Sequence, residues 1–264
     1  MAVQAVQAGG LVKIAAKLIP ATFVKRDNRF RVTVRVEGCP VWAHLPNSGR
    51  LRELLVPGRR VLLAAAQAPG RLTSYDLLMV DLDGTLVSID ARLPSRLLYE
   101  ALRQVYPERS RRAQDEALRA DWLEEFAGYA EVRREVTYGQ SRLDLVLEGE
   151  PDGGRCFIEA KSVTLVEDGV ALFPDAPTQR GRRHLGELAR ARAEGHRAAV
   201  IFVVQRNDAT SFSPHDEADP AFGQALREAA QAGVEIYAYK CRVSKGEVTL
   251  KAPLPVAGLA AYGH

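Results

Sequence analysis

Two carboxylates and a lysine stand at a spacing that could bind a divalent cation and act on a phosphate ester. Asp144 lies in the run Ser-Arg-Leu-Asp-Leu-Val-Leu, whereas Glu159 and Lys161 lie in Ile-Glu-Ala-Lys-Ser. Carboxylate oxygens bind Mg²⁺, which keeps several waters and contacts phosphate oxygens. The cation acidifies a water and stabilises the developing charge, and a nearby ammonium can orient that water. The same spacing occurs in ordinary surface hairpins, so both interpretations stay open.

The strands that carry these residues are predicted to form an antiparallel hairpin. Glu159 and Lys161 share one strand face because side chains alternate along a strand. If Gly149 pairs with Gly154 across the loop, Asp144 lies directly opposite Glu159, with the Cβ atoms about 4.5–5.5 Å apart. A slip of one residue would separate the carboxylates. The face opposite Asp144 is expected to be apolar and to consist of Leu143, Leu145 and Leu147.

A second acidic string, Val-Asp-Leu-Asp-Gly-Thr-Leu at residues 80–86, is similar to the first motif of haloacid-dehalogenase-type phosphatases. In that family Asp81 would be the nucleophile and Asp83 the acid/base. The pair Asp83-Gly84 between two alternating apolar runs is, however, typical of a type I′ turn. A hairpin is therefore predicted, and the phosphatase is a remote alternative.

The residues before position 91 are predicted to be mostly strands. Apolar and cationic residues alternate over 29–37, and further strand-like runs lie near 21–25, 40–44, 60–66 and 74–89. A short helix is expected after Asn47-Ser48-Gly49. About five short strands in this length suit a small barrel of the oligonucleotide-binding type. Phe30 and Trp42 are expected in its core, which would make base stacking minor.

The rest of the chain alternates helices with strands, which predicts an α/β fold with a mixed sheet. We accordingly divide the chain into a barrel, 1–90, and an α/β domain, 91–264. Helices are predicted near 94–105, 111–127, 178–194 and 220–232, and strands near 131–137, 141–148, 155–161, 198–204, 234–243 and 247–252.

Charge is distributed unevenly along the chain. Residues 1–72 carry twelve Lys/Arg and three acids, a net of +9, whereas the whole chain carries +3, so the remainder carries 3 − 9 = −6. A basic first third favours a polyanionic partner, and a solvated basic surface is the alternative. The candidate phosphate contacts are Arg29, Arg31 and Arg35 on one strand face, Asn47, Ser48 and Arg50 in a turn, and Thr178, Gln179, Arg180, Arg182, Arg183 and His184 at the start of a helix.

Composition excludes several classes of protein. Cys39, Cys156 and Cys241 are few and far apart, which argues against a disulfide framework or a structural zinc site and favours a reducing cytoplasm. Lys13 and Lys17 interrupt the first apolar run, so neither a signal peptide nor a membrane span is expected.

Over nearly its whole length the chain resembles the sugar fermentation stimulation protein A family. The most specific stretch is IEAKSVTLVEDGVALFPDAPTQRG at 158–181, and further matches lie at 44–50, 134–144 and 202–206. The resemblance implies an N-terminal oligonucleotide-binding barrel and a C-terminal nuclease core of the PD-(D/E)xK type. It also implies DNA binding with little sequence preference and a regulatory role in maltose use.

The nuclease motif of such a core maps onto Asp144, Glu159 and Lys161. The resemblance implies Mg²⁺ or Mn²⁺ as the cofactor, with Asp144, Glu159 and Ala160 as its ligands. The proline that names the motif is absent, because Leu143 precedes Asp144. Proline contributes no ligand, so the departure is tolerable.

Nucleases of this type often add a glutamate from the preceding helix, and Glu100 is the candidate, with Glu135 second. The function expected is therefore DNA binding with Mg²⁺-dependent phosphodiester cleavage, and RNA stays open as a substrate. The alternative is a DNA-binding regulator without catalysis. The sequence leaves a homo-oligomer open and predicts no membrane partner.

Overall fold

The first part of the chain folds into the predicted small barrel. The computed structural model of the protein describes residues 11–14, 17–66, 70–105, 121–149 and 154–259. Six strands form one sheet in the order β4-β3-β2-β5-β6-β7, and a parallel pairing of β4 with β6 closes five of them. The six strands are β2 (Leu18–Asn28), β3 (Arg31–Val36), β4 (Cys39–His44), β5 (Arg60–Ala65), β6 (Tyr75–Leu82) and β7 (Thr85–Ser88), and they follow β1 (Leu11–Lys13), which belongs to another sheet.

The acidic string at residues 80–86 is a hairpin, as predicted. Leu82 pairs with Thr85 across the turn, and Asp83 and Gly84 both have positive φ angles of 50° and 103°. Positive φ at both central positions is the type I′ geometry. The Gly84 N–H donates to Asp81 Oδ1 at 2.8 Å, so this carboxylate stabilises the turn. The phosphatase interpretation is wrong, because the string joins two antiparallel barrel strands.

Two expectations for the barrel are wrong. After Asn47-Ser48-Gly49 the chain forms a single turn, closed by Leu55 N–H donating to Leu51 O at 2.8 Å, and no helix. Arg26 donates to the carbonyls of Gly49 and Arg50 at 2.6 and 2.9 Å, which holds the loop in an extended path. Phe30 and Trp42, expected in the core, are 47% and 48% exposed.

The second part is a three-layer α/β structure. Its seven-stranded mixed sheet has the order β1-β16-β15-β13-β10-β9-β8, and β10, β13 and β15 are parallel. Its elements are α1 (Leu93–Val105), a 3-10 helix (Asp121–Phe126), β8 (Glu131–Tyr138), β9 (Ser141–Glu148), β10 (Cys156–Val163), β11 (Leu165–Glu167), β12 (Val170–Phe173), α2 (Gln179–Ala193), β13 (Arg197–Val204), β14 (Ser211–Pro214), α3 (Pro220–Gln231), β15 (Glu235–Val243) and β16 (Glu247–Pro253). Of the helix predicted over 111–127, residues 111–120 lie outside the described residues.

The helices cover the two faces of this sheet. One core joins α1 to Leu145 and Leu147, and the other joins α2 and α3 to Val146 and Phe157. Leu143 packs in the second core, so the prediction that it shares a face with Leu145 is wrong. The regular pairing of β8 with β9 is interrupted between Arg134–Leu145 and Val136–Leu143, the level at which Glu135 has a left-handed φ of 56°.

The two parts of the chain are joined by more than their linker. β1 pairs with β16 at the edge of the seven-stranded sheet, so the first described strand belongs to the second sheet. Gln205, which is 0% exposed, follows β13 and touches the barrel. Its Oε1 accepts from Ser88 Oγ at 3.0 Å, and its Nε2 donates to Ser162 Oγ at 2.8 Å and to Asp90 O at 3.2 Å. The division at residue 90 stays a prediction.

None of the described helices is long and apolar enough to cross a membrane.

Gln205→Leu is expected to lower the free energy of unfolding by about 1–3 kcal/mol. The substitution leaves the buried Ser88 hydroxyl without its acceptor, which costs about that much, whereas Asp90 O keeps the bond from Leu93 N–H at 3.1 Å and Ser162 reaches the open cleft. Thermal and urea unfolding measure the change. Gln231→Leu, an exposed glutamine at the end of α3, is the matched control and should change stability by less than about 0.5 kcal/mol. Equal effects of the two substitutions would contradict the interdomain role of Gln205.

Candidate functional site

The strands that carry the acidic residues pair in the predicted register as far as Ile158 and Leu145, where the β9–β10 ladder ends, one residue before Glu159 and Asp144. The next main-chain donor, Ala160 N–H, is bound by Asp144 Oδ2 at 2.8 Å. The Asp144 side chain thus takes the place of a main-chain acceptor between the strands, which fixes its carboxylate beside Glu159.

Glu159 is the centre of a buried cluster. Its side chain is 4% exposed, and its Oε1 accepts a hydrogen bond from Lys161 Nζ at 2.7 Å and another from His184 Nδ1. Among the described residues, Glu159 Oε2 is buried and has no hydrogen-bond partner. Both donors act on one oxygen, so the other is left as a bare acceptor beside Asp144.

His184 holds Glu159 from the neighbouring helix. Arg180 Nε donates to His184 Nε2 at 3.3 Å, which leaves the ring proton on Nδ1, where it faces Glu159. The histidine was predicted to contact nucleic acid, but it is only 2% exposed, so that prediction is wrong. Helical spacing explains the difference, because the side chains at positions i and i+4, Arg180 and His184, lie one above the other.

The start of α2 places this histidine over the strands. The Thr178 side chain caps the helix by accepting from Gly181 N–H at 3.0 Å, and Asp219 accepts from Thr178 N–H at 2.7 Å. A Cβ at Gly181 would come within 2.7 Å of Thr178 Cγ2 and 3.1 Å of Phe222 Cε2, so α2 needs glycine here to pack this closely.

The two carboxylates have opposite electrostatic environments. Burial, followed by the charge of Glu159, raises the pKa of Asp144 to about 7. Burial alone would also raise the pKa of Glu159, but Lys161 and His184 outweigh it and lower that pKa. Asp144 therefore exchanges its proton near neutral pH, whereas Glu159 stays ionised. A cation between them would remove the repulsion that keeps Asp144 protonated.

The carboxylates open into a cleft of about 560 Å³ between the barrel and the α/β part. Several of the predicted nucleic-acid contacts line it together with the catalytic candidates. The predicted residues that the structure brings together here are Asp144, Glu159, Ala160, Lys161, Arg29, Asn47, Ser48, Thr178 and Arg180. Asn47 is used internally, because it donates to Ile89 O at 2.9 Å and accepts from Gly49 N–H at 2.8 Å.

Other predicted contacts lie elsewhere. Arg31 lines a neighbouring cavity of about 460 Å³, and Arg50 lines another of about 360 Å³ with Arg26 and Arg52. The described residues that line the cleft do not include Arg35, Gln179 or Arg183.

The fold places only one of the two glutamate candidates at the cleft. Glu135 lines the cleft, with its carboxylate bonded to Arg142 Nη2 at 2.5 Å, whereas Glu100 on α1 is not one of the described residues that line it. Periodicity alone could not choose between them, because the left-handed φ of Glu135 turns this residue out of the regular strand pattern.

Sequence reasoning missed two cationic residues of the cleft. Arg92, directly before α1, is paired with Asp90 at 2.6 Å and lines both the cleft and the neighbouring cavity. Arg134 on β8 also lines the cleft, with its guanidinium carbon 5.4 Å from the centre of the Tyr99 ring. Arg134 begins the matching stretch 134–144 but was not singled out, and only the tertiary structure brings the two arginines to the site.

The donor set fits a hard divalent cation that keeps water ligands. In the part of the chain that the structure describes, no group of three or more His, Cys, Asp or Glu side chains is arranged as a metal site. Two adjacent carboxylates with one bare buried oxygen are nevertheless what Mg²⁺ uses, since it is bound through one or two carboxylates and its own waters. The same oxygen set is poor for zinc, which prefers nitrogen and sulfur ligands.

Comparisons with known proteins cover almost the whole chain. The model of the sugar fermentation stimulation protein RE domain matches residues 108–247, and that of the SfsA N-terminal OB domain matches residues 24–89. A sugar fermentation stimulation protein homolog of Desulforamulus reducens is 49% identical over 92% of this chain and 94% of its own length. One from Moorella thermoacetica is 47% identical over 93% and 99%. The solved structure of SfsA from Pyrococcus furiosus, in complex with Ca²⁺, is 32% identical, covers 91% of this chain and 96% of its own, and gives a TM-score of 0.79.

Asp144→Asn is expected to stabilise the protein in EDTA at pH 8. The folded-state pKa of Asp144 is raised from 3.8 to about 7, so the folded protein holds a proton that the unfolded chain releases. The stabilising contribution of that proton is complete below pH 4 and is lost as pH rises through 7. Asparagine keeps an acceptor for Ala160 N–H, and the gain should be about 2–4 kcal/mol at pH 8 and less than half of that at pH 5.

Thermal unfolding at the two pH values measures this difference. Asp83→Asn, in the exposed turn, is the matched control and should show no such pH dependence. Destabilisation by Asp144→Asn at pH 8 would contradict the described environment.

Proposed function

The chain belongs to the sugar fermentation stimulation protein family, and we propose that it binds nucleic acid in its interdomain cleft and cleaves a phosphodiester bond there with a divalent cation. The observation that supports this most is the bare Oε2 of Glu159 beside Asp144, in a cleft also lined by Arg29, Arg180 and Lys161. Buried carboxylates that repel each other attract a cation, and the arginines attract the phosphates that a cation-assisted cleavage requires.

Asp144, Glu159 and the carbonyl of Ala160 would hold the cation. Ca²⁺ in the Pyrococcus furiosus relative supports a hard divalent ion at an oxygen-rich site. When bound, Mg²⁺ or Mn²⁺ supplies a more acidic water and offsets the charge that develops at phosphorus.

The side chains of the cleft have separate tasks. Lys161 directs its ammonium to Glu159 Oε1 at 2.7 Å and is 9% exposed, so a phosphate beside Glu159 meets a poorly hydrated positive charge. His184 and Arg180 form a hydrogen-bonded relay that keeps Glu159 in one orientation. Arg29 approaches from the barrel and can hold a phosphate further along the strand.

A second candidate function is binding without cleavage. It is favoured by the small donor set, since no three carboxylates of the described residues are grouped as a metal site. The names of the relatives refer to sugar fermentation, which is consistent with a DNA-binding regulator of maltose use. Both functions share the cleft and differ in turnover.

Lys161→Ala is expected to reduce metal-dependent cleavage by about 10²–10³-fold while cation binding persists. Asp144→Ala should abolish cation binding and cleavage together, because it removes a ligand. Gel assays with single- and double-stranded DNA and RNA in Mg²⁺, Mn²⁺ or EDTA measure cleavage, and the increase of Tm with Mg²⁺ measures binding.

Asp83→Ala, outside the cleft, is the control for both measurements. Cleavage that survives Lys161→Ala unchanged would refute the site. Wild-type protein that binds DNA and Mg²⁺ without any turnover would establish the second candidate function.

Binding of duplex DNA in EDTA is expected to weaken steeply with salt. For about four phosphate contacts, the slope of log K against log salt should be near −3.6, and Arg29→Ala should reduce its magnitude by about 0.9. Fluorescence anisotropy at several salt concentrations gives the slopes. Arg242→Ala, a paired arginine on β15 outside the cleft, is the control and should leave the slope unchanged. A flat salt response would exclude a phosphate-dominated mode of binding.

A further inference from the structure

The outer face of the barrel carries aromatic side chains that its core does not use. Phe30, in the turn before β3, and Trp42 on β4 are half exposed, whereas Val32 and Val34 on β3 and Ala43 on β4 are 0% exposed. On β4, His44 follows Trp42 on the same outward side, because the two are separated by one inward residue. We call Phe30, Trp42 and His44 the aromatic ridge.

The indole ring of Trp42 is in contact with a cationic side chain. The guanidinium carbon of Arg31 lies 4.3 Å from the centre of the Trp42 ring, a cation–π contact. Asp27 approaches Arg31 Nε only at 4.0 Å, so part of the arginine's charge is left for an external anion. One face of the indole is occupied by Arg31 and 48% of the residue stays open to solvent.

Phe30 continues the ridge toward the cleft. The centre of the Phe30 ring lies 6.4 Å from the centre of the His44 ring. The guanidinium carbon of Arg29 lies 5.4 Å from the centre of the Phe30 ring. The turn is held in place, because Phe30 N–H donates to Asn28 Oδ1 at 2.9 Å and Phe30 O accepts from Leu45 N–H at 2.9 Å. The backbone that carries the exposed phenyl ring is therefore fixed in the turn.

The ridge and the cleft are continuous. Phe30, Arg31 and His44 line the cavity of about 460 Å³, and Arg92 lines this cavity as well as the cleft with Asp144 and Glu159. Arg29, adjacent in sequence to Phe30, also lines the cleft. Aromatic rings thus alternate with arginines along a path that ends at the carboxylates.

Alternating rings and cations match one kind of ligand. A strand with unpaired bases offers flat faces that stack on aromatic side chains and phosphates that bind arginine. In a duplex the bases already stack on each other, and only the phosphates and groove edges stay available.

We propose that the aromatic ridge binds the unpaired bases of a single-stranded segment of nucleic acid and leads that strand into the interdomain cleft. This inference rests on the proposed function, and it narrows the substrate to nucleic acid with a single-stranded portion. It replaces the expectation that base stacking is minor, which depended on Phe30 and Trp42 being in the core.

Anisotropy in EDTA with a labelled oligothymidylate of about 15 residues tests the ridge on the full-length protein. Trp42→Ala and Phe30→Ala are each expected to weaken this binding by about 5- to 100-fold. Trp42→Phe keeps a stacking ring and should stay within about threefold of wild type. Val56→Ala removes another exposed apolar side chain and is the matched control, expected to bind as wild type. An oligouridylate arm distinguishes RNA from DNA.

Two further arms separate stacking from charge. An abasic strand of the same length keeps the phosphates but loses stacking on both Trp42 and Phe30, so it should bind wild type more weakly than the intact strand binds Trp42→Ala. The salt slope should be the same for wild type and Trp42→Ala, because stacking releases no counterions. Quenching of tryptophan fluorescence by the oligothymidylate should be lost in Trp42→Phe, a readout independent of Trp42→Ala.

The outcomes distinguish this inference from the proposed function. If wild type, Trp42→Ala and Phe30→Ala bind the intact single strand with equal affinity, the role of the aromatic ridge is refuted. It is also refuted if the ridge variants lose as much affinity for duplex as for the single strand. Either result would assign the exposed rings to another kind of partner. If the protein binds neither strand nor duplex, the proposed function fails as well. If the ridge variants behave as expected but no cation gives cleavage, only the enzymatic proposal fails.

Discussion

The architecture of the site depends on one unfavourable interaction, the confinement of two carboxylates between neighbouring strands. Asp144 is fixed by the main chain of Ala160, and Glu159 is fixed by Lys161 and His184, so neither can turn away from the other. The lysine and the histidine compensate one oxygen of Glu159 and leave the second bare. Natural proteins tolerate such local costs where function requires them. The raised pKa of Asp144 is the visible result of this cost.

The division into two parts of the chain has a functional meaning in this geometry. The barrel contributes Arg29 and the loop around Ser48, and the α/β part contributes the carboxylates, so the cleft exists only when the two are held together. Gln205 and the bond from Leu51 N–H to Asp175 Oδ2, 3.1 Å long, supply specific links across this boundary. A buried amide bonded to both parts fixes their relative position more strictly than apolar packing alone.

Much of this arrangement was predictable from sequence, because turn chemistry and alternation are local. The register predicted from the loop glycines after β9 is the one observed in the β9–β10 ladder up to Leu145 and Ile158, and the type I′ turn at Asp83 distinguishes a hairpin from a phosphatase motif. The errors arose where tertiary structure decides. His184 is buried because α2 packs over β10, and Leu143 changes side where the pairing of β8 with β9 is interrupted, and neither contact is local in sequence. Which barrel face is covered decides whether Phe30 is core or surface, and no periodicity contains that information.

The pairing of β1 with β16 has a consequence for how the chain is made. Leu11 is among the first described residues and its partner, Thr249, among the last. During synthesis at about 5–20 residues per second, β1 leaves the ribosome on the order of 10–50 s before its partner. The barrel strands lie between β1 and β16 in the sequence, so the barrel can close while β1 is still unpaired. The α/β sheet therefore acquires its edge strand only after Thr249 has been synthesised, so a chain released before that point keeps β1 unpaired.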